Sequence, residues 1–87
     1  SQGRYSEAEP LYLQALEIRR SQLGNDHPYT ASSLNNLATL YYSLDRYAES
    51  AAYMEQALEI MERQLGADHP STKTVRQNLE TIRQAMA

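Results

Sequence analysis

A shift of 42 residues lays this 87-residue chain on itself, and 19 of the 45 overlapping pairs are then identical. Chance would match only a few. Arg4-Tyr5 falls on Arg46-Tyr47, and Gln14-Ala15-Leu16-Glu17-Ile18 falls on Gln56-Ala57-Leu58-Glu59-Ile60. Gln22-Leu23-Gly24 falls on Gln64-Leu65-Gly66, Asp26-His27-Pro28 on Asp68-His69-Pro70, and Asn36-Leu37 on Asn78-Leu79. A duplication of this length restricts the chain to folds that stack a unit unable to bury its apolar face alone.

Each period holds two helical patterns. From Ser6 to Leu23, apolar residues at Leu11, Tyr12, Ala15, Leu16, Ile18 and Leu23 follow a stripe of about 3.6 residues. Ser6 and Glu9 have the spacing of a capping box, which puts Pro10 in the first turn, where its missing N–H has no helical partner. Gly24 then stops the helix. Pro28 opens a second helix that ends near Asp45, with Leu34, Leu37, Ala38 and Tyr41 as its stripe. A third is expected from Ala48 to Leu65, turning Ala51, Met54, Ala57, Leu58 and Met61 inward, and a fourth from Pro70 to about Met86. Nothing alternates with the period of a strand. Four helices joined by short turns pack antiparallel, and a duplicated pair of them stacks as a solenoid.

Composition narrows the function. Eight Lys+Arg stand against eleven Asp+Glu, a net charge of −3. That balance is poor for a nucleic-acid backbone or an anionic membrane surface, both of which call for a basic stripe. The chain has no cysteine, so disulfides and thiolate metal sites are excluded. No apolar run reaches the ~20 residues of a membrane helix, and no signal-peptide pattern is present in these residues, so a cytoplasmic setting is expected.

The segment Leu34-Asn35-Asn36-Leu37-Ala38-Thr39-Leu40-Tyr41-Tyr42 resembles the first helix of a tetratricopeptide repeat. Arg46-Tyr47-Ala48-Glu49-Ser50, followed by Gln56-Ala57-Leu58-Glu59, resembles its turn and second helix. The usual period of that family is about 34 residues. The additional residues here map to the tail of the second helix and the Leu-Gly-x-Asp-His-Pro loop. The longer form is similar to the repeats of kinesin light chain and related bacterial proteins. The period alone also allows HEAT or armadillo repeats. The Ala-Leu-Glu-Ile segments and the tyrosine at each inter-helix turn favour the tetratricopeptide reading. The resemblance implies an all-α, right-handed solenoid of antiparallel helix pairs.

In that scheme residues 1–24 are the second helix of a truncated repeat, 25–66 a complete repeat and 67–87 a C-terminal capping helix. Ser1-Gln2-Gly3 would match the turn at Ser43-Leu44-Asp45. The first helix would lack its partner, leaving Leu11 and Tyr12 partly exposed and open to association with another copy. In the last helix, Arg76, Glu80 and Arg83 replace Leu34, Ala38 and Tyr41, as a polar cap requires.

The resemblance further implies a concave groove lined by first helices, holding a peptide or helix of a protein partner. Matched residue by residue, its lining is Ser32, Asn35, Asn36, Thr39, Tyr42 and Ser43, continued by Thr74, Gln77, Asn78, Thr81 and Gln84. Asparagine donates and accepts, so Asn36 and Asn78, one period apart, would form two clamps on a peptide backbone. Lys73 and Arg76 do not match groove positions, which argues against recognition of acidic C-termini.

His27 and His69 each stand between Asp and Pro, a pattern that raises the question of metal ligation or base chemistry. Their recurrence in one inter-repeat loop favours a local role, with Pro starting the helix and Asp capping it. Glu7, Glu9, Glu17, Glu49, Glu55, Glu59 and Glu62 read as surface charges paired with Arg19, Arg20 or Arg63. Tyr5 and Tyr47, at the turns, read as structural. No nucleophile triad, phosphate-cradling loop or acid pair is legible, so neither catalysis nor a cofactor or metal is expected.

Overall fold

A computed structural model describes residues 2–87, without the side chains of Gln2 and Tyr5, so the structural role expected of Tyr5 lies outside the described residues. Four helices follow one another: α1 (Gln2–Leu23), α2 (Pro28–Ser43), α3 (Tyr47–Leu65) and α4 (Pro70–Met86). Among the described residues there is no strand. The breaks fall where backbone chemistry dictates. Gly24 and Gly66 adopt φ of +92° and +89°, and Asp45 adopts φ of +62°, the left-handed values that end a helix. Pro28 and Pro70 supply a preset φ at the next start.

One boundary differs from the sequence reading. Helix α1 begins at Gln2, so Ser6 is not its N-cap and Pro10 lies inside the helix. The turn expected at Gly3 is helical instead. Pro10 cannot donate to the Ser6 carbonyl, but Ser6 is exposed and water can take that acceptor. Glu9, freed from any capping box, reaches across to α2.

Helix α2 lies between α1 and α3, and α4 packs on α3. All four residues of the expected α2 stripe, Leu34, Leu37, Ala38 and Tyr41, are buried, with Leu37 fully so. From α3 come Ala51, Met54, Ala57, Ile60 and Met61, while Leu58 is only half-buried. Helix α4 adds Val75, Leu79 and Ile82. Small residues let the backbones approach closely. Ser50 donates to the Ala38 carbonyl at 2.5 Å, and Thr72 donates to the Met61 carbonyl at 3.3 Å. Among the described residues no buried side-chain N or O lacks a partner, as a packed interior requires.

The 42-residue alignment exposes an asymmetry. Tyr12 is 40 % exposed where its counterpart Met54 is 1 % exposed, and Ile18 is 47 % exposed where Ile60 is 5 %. Leu11 is exposed as well. Only Leu16 of the expected α1 stripe is buried, because α1 is covered by α2 on one side alone. Helix α3 is covered by both α2 and α4.

The Glu9 carboxylate accepts from the Tyr41 hydroxyl at 2.8 Å and pairs with Arg46 at 3.1 Å. The Arg46 guanidinium lies 4.3 Å from the Tyr41 ring centroid and also holds Glu49 at 2.6 Å. Glu9 is thus a latch between α1 and the turn after α2, not the capping-box residue or the partner of Arg19, Arg20 or Arg63 that the sequence suggests. The bond from Arg46 holds Glu49 below the usual carboxylate range. Arg19 and Arg20 also depart from expectation: they donate to the Tyr29 carbonyl and to Gln56, not to carboxylates. Tyr47 is half-buried, its hydroxyl donating to Asp45 at 3.0 Å and its ring tilted against Tyr42.

Two outcomes follow from this packing. Leu37→Ala should lower unfolding free energy by about 2–5 kcal/mol, the range for emptying a closed core site. A denaturant melt showing under ~1 kcal/mol would contradict the burial of α2. Burial first, and then the bond to Glu9, push the Tyr41 phenol up to about 12. An unfolded tyrosine titrates near ~10, so this stabilisation is complete below that pH and is lost as pH rises toward the folded value. Melting temperature should therefore fall across that alkaline window, and Tyr41→Phe should fall less steeply. Parallel curves for the two proteins would contradict the latch.

Candidate functional site

Amides and hydroxyls of α2 and α4 that escape the core, Asn36, Thr39, Tyr42 and Ser43 with Asn78 and Thr81, border two hollows. The first, of about 180 Å³, is lined by Thr39, Tyr42, Met54, Asn78, Thr81 and Ile82. The second, of about 260 Å³, is lined by Ala8, Tyr12, Asn36, Thr39, Leu40 and Ser43. Moving the second forward by one period carries Tyr12, Asn36, Thr39 and Leu40 onto Met54, Asn78, Thr81 and Ile82, four residues of the first. The hollows are therefore one feature made twice. The first has an extra wall, Thr39 and Tyr42 of α2, that the second lacks.

Helices α2 and α4 run parallel past this feature. The Asn78 side-chain amide donates to the Asn35 side-chain oxygen at 3.3 Å, while Thr39 and Tyr42 face Thr81 and Ile82 further along. Asn35 and Asn78 are thus the residues that meet. Asn36, the period mate of Asn78, stands on the other flank of α2 with Tyr12. Each asparagine of the repeating pair belongs to its own hollow.

The hydroxyls share one geometry. Ser32, Thr39 and Ser43 donate to the carbonyls of Pro28, Asn35 and Thr39 at 3.2, 2.9 and 3.2 Å. Thr74 and Thr81 donate to Pro70 and Gln77 at 3.0 and 3.1 Å. Helical Ser and Thr favour this back-bond to the preceding turn. Ser32, Asn35, Thr74 and Gln77 line neither hollow. Thr74, Gln77 and Gln84 are exposed.

Sequence reasoning missed the floor. Met54 reads as an ordinary core residue and Ile82 is given no role by the sequence, yet both are partly the base of the first hollow. The signal was available in the alignment, which places Met54 opposite Tyr12 and Ile82 opposite Leu40.

The two histidines find a different use from either sequence reading. His27 Nδ1 accepts from the Tyr29 amide at 3.0 Å, and His69 Nδ1 accepts from the Ser71 amide at 3.1 Å. They are the N-caps of α2 and α4, a role expected for the neighbouring aspartates. Asp26 instead pairs with Arg63, whose charged form is stabilised by Glu59 and Asp26. Among the described residues no group of three His, Cys, Asp or Glu side chains is placed to hold a metal.

A family model described as tetratricopeptide repeat matches residues 1–63 and again residues 35–87. The chain belongs to the tetratricopeptide repeat family. Its all-α helical-repeat architecture is the one this family builds, and repeats of this kind generally mediate contacts between proteins. No curated protein matches the chain. Among the described residues, no helix of this tetratricopeptide chain is long and apolar enough to cross a membrane.

Loss of a capping side chain typically costs about 0.5–2 kcal/mol. His27→Ala should fall in that range in a chemical melt, and His27→Asn, whose side-chain oxygen can accept the same N–H, should restore most of it. Equal stability of His27→Ala and the wild-type chain would contradict the capping role.

Proposed function

We propose that this tetratricopeptide unit is a non-catalytic interaction module whose α2 and α4 faces hold a peptide or helix of a protein partner. The groove comprises Ser32, Asn35, Asn36, Thr39, Tyr42 and Ser43 on α2, with Thr74, Gln77, Asn78 and Thr81 on α4. The observation that carries this reading is the duplicated hollow: an asparagine and a threonine over an apolar base, made again 42 residues later. A side chain of a bound segment can bury on the base while the amides meet its backbone. The 42-residue period and the Leu-Gly-x-Asp-His-Pro loop support placing the chain in the kinesin light chain-like variety of the family. They also support reading residues 25–66 as one complete repeat, preceded by the second helix of another unit and followed by a cap-like helix.

In a pull-down with the full-length array, substituting Asn36→Ala and Asn78→Ala together should abolish capture of the partner while leaving the thermal melt nearly unchanged. Undiminished capture by the folded double variant would refute the groove.

A second reading rests on the exposed face of α1. Leu11, Tyr12 and Ile18 are exposed apolar residues of α1, which favours self-association through that helix. Light scattering over a concentration series separates the two. Particle mass that grows with concentration, unaffected by substitutions at Asn35, Asn36 and Asn78, is the outcome expected of self-assembly. Constant mass would remove this reading.

A further inference from the structure

The hydrogen-bonding atoms left free along the groove narrow the kind of segment it can take. A hydroxyl has one proton and two lone pairs. At Thr39, Ser43 and Thr81 that proton is already given to the carbonyl one turn back. What these residues offer a ligand is an oxygen that accepts. Asn78 gives one of its two amide hydrogens to Asn35, which leaves it one donor beside its side-chain carbonyl acceptor. The donors that remain are the Tyr42 hydroxyl and one Asn78 hydrogen in the first hollow, and the Asn36 amide, which both donates and accepts, in the second. No Lys or Arg lines either hollow to supply stronger donors.

We propose that the groove, if it is the interaction site described above, selects a peptide segment bearing arginine or lysine over an acidic one. Arginine carries five N–H donors and lysine three, and neither accepts. Their aliphatic stems can lie on Met54 and Ile82 while the head reaches the Thr39, Thr81 and Asn78 oxygens. The Tyr42 ring beside them offers a face to the same cation. A carboxylate in this place meets mostly acceptors, with only the Tyr42 hydroxyl and one Asn78 amide hydrogen to replace the water it loses. The net charge of −3 acts in the same direction at longer range.

The test is fluorescence polarisation with three labelled synthetic peptides of one length and one glycine–serine framework. They carry arginine, glutamine or glutamate at the same two positions. The arginine peptide should bind about tenfold more tightly than the glutamate peptide, the scale of one hydrogen bond to a charged group. The double variant Thr39→Val and Thr81→Val keeps shape and net charge but removes both oxygens, and should weaken the arginine peptide by about tenfold. Thr39→Ser with Thr81→Ser keeps the oxygens and should keep the binding, which separates lost acceptors from lost structure. Circular dichroism melts check that each variant folds.

Equal affinity for all three peptides, or an arginine peptide indifferent to the valine variant, would overturn the donor rule. So would binding by none of them. If the glutamine or glutamate peptide binds best and depends on Asn36 and Asn78, the donor rule falls while the interaction groove stands. Loss of the groove itself is read separately, from partner capture by the full-length array.

Discussion

The burial of α2 is the constraint from which the rest of the structure follows. Leu34, Leu37, Ala38 and Tyr41 are removed from water by α1 and α3 together, and Ser33, Ala31 and Leu40 are buried beside them. A helix so enclosed keeps one strip of surface, and that strip carries Asn35, Asn36, Thr39 and Ser43. The position of the candidate groove is thus decided by what the core takes, not by the groove residues themselves. Because α4 repeats the pattern, its Asn78 and Thr81 come to stand alongside those of α2.

Repetition does not make the two units equal, and the differences have local causes. Tyr41 is replaced one period later by Arg83, and Glu9 by Ala51, so the Glu9–Tyr41–Arg46 latch exists once. Arg83 turns instead toward Glu55 at 3.7 Å, and Arg76, in the place of Leu34, reaches Glu62 at 3.3 Å. These exposed pairs contribute little individually. Their value lies in keeping the outer face of α4 polar, where α2 at the same positions is apolar because α1 covers it.

Much of this was legible in the chain. The duplication, the Pro28 and Pro70 starts, the Gly24 and Gly66 stops and the α2 stripe all rest on local rules that survive packing. The parts that were not legible depend on neighbours distant in sequence. Glu9 fitted a capping box three residues after Ser6, but the helix continues back to Gln2 and Glu9 answers Tyr41 and Arg46 instead. The histidine caps were obscured because Asp is the commoner choice and stood next to each. The amide and hydroxyl residues on the first helices could be identified, and the structure brings Thr39, Tyr42, Asn78 and Thr81 around one hollow. That Asn35, not Asn36, meets Asn78 needed the parallel crossing of α2 and α4, which sequence spacing does not specify.

Helix α2 is the enclosed element and α1 the half-covered one. Amide hydrogen exchange followed helix by helix measures this directly, since protection rises with the free energy needed to open each segment. The α2 amides around Leu37 should exchange last, at the rate of global unfolding, and the α1 amides near its N-terminus first. Exchange of α2 as fast as that of α1 would contradict the enclosure, and with it the placement of the groove.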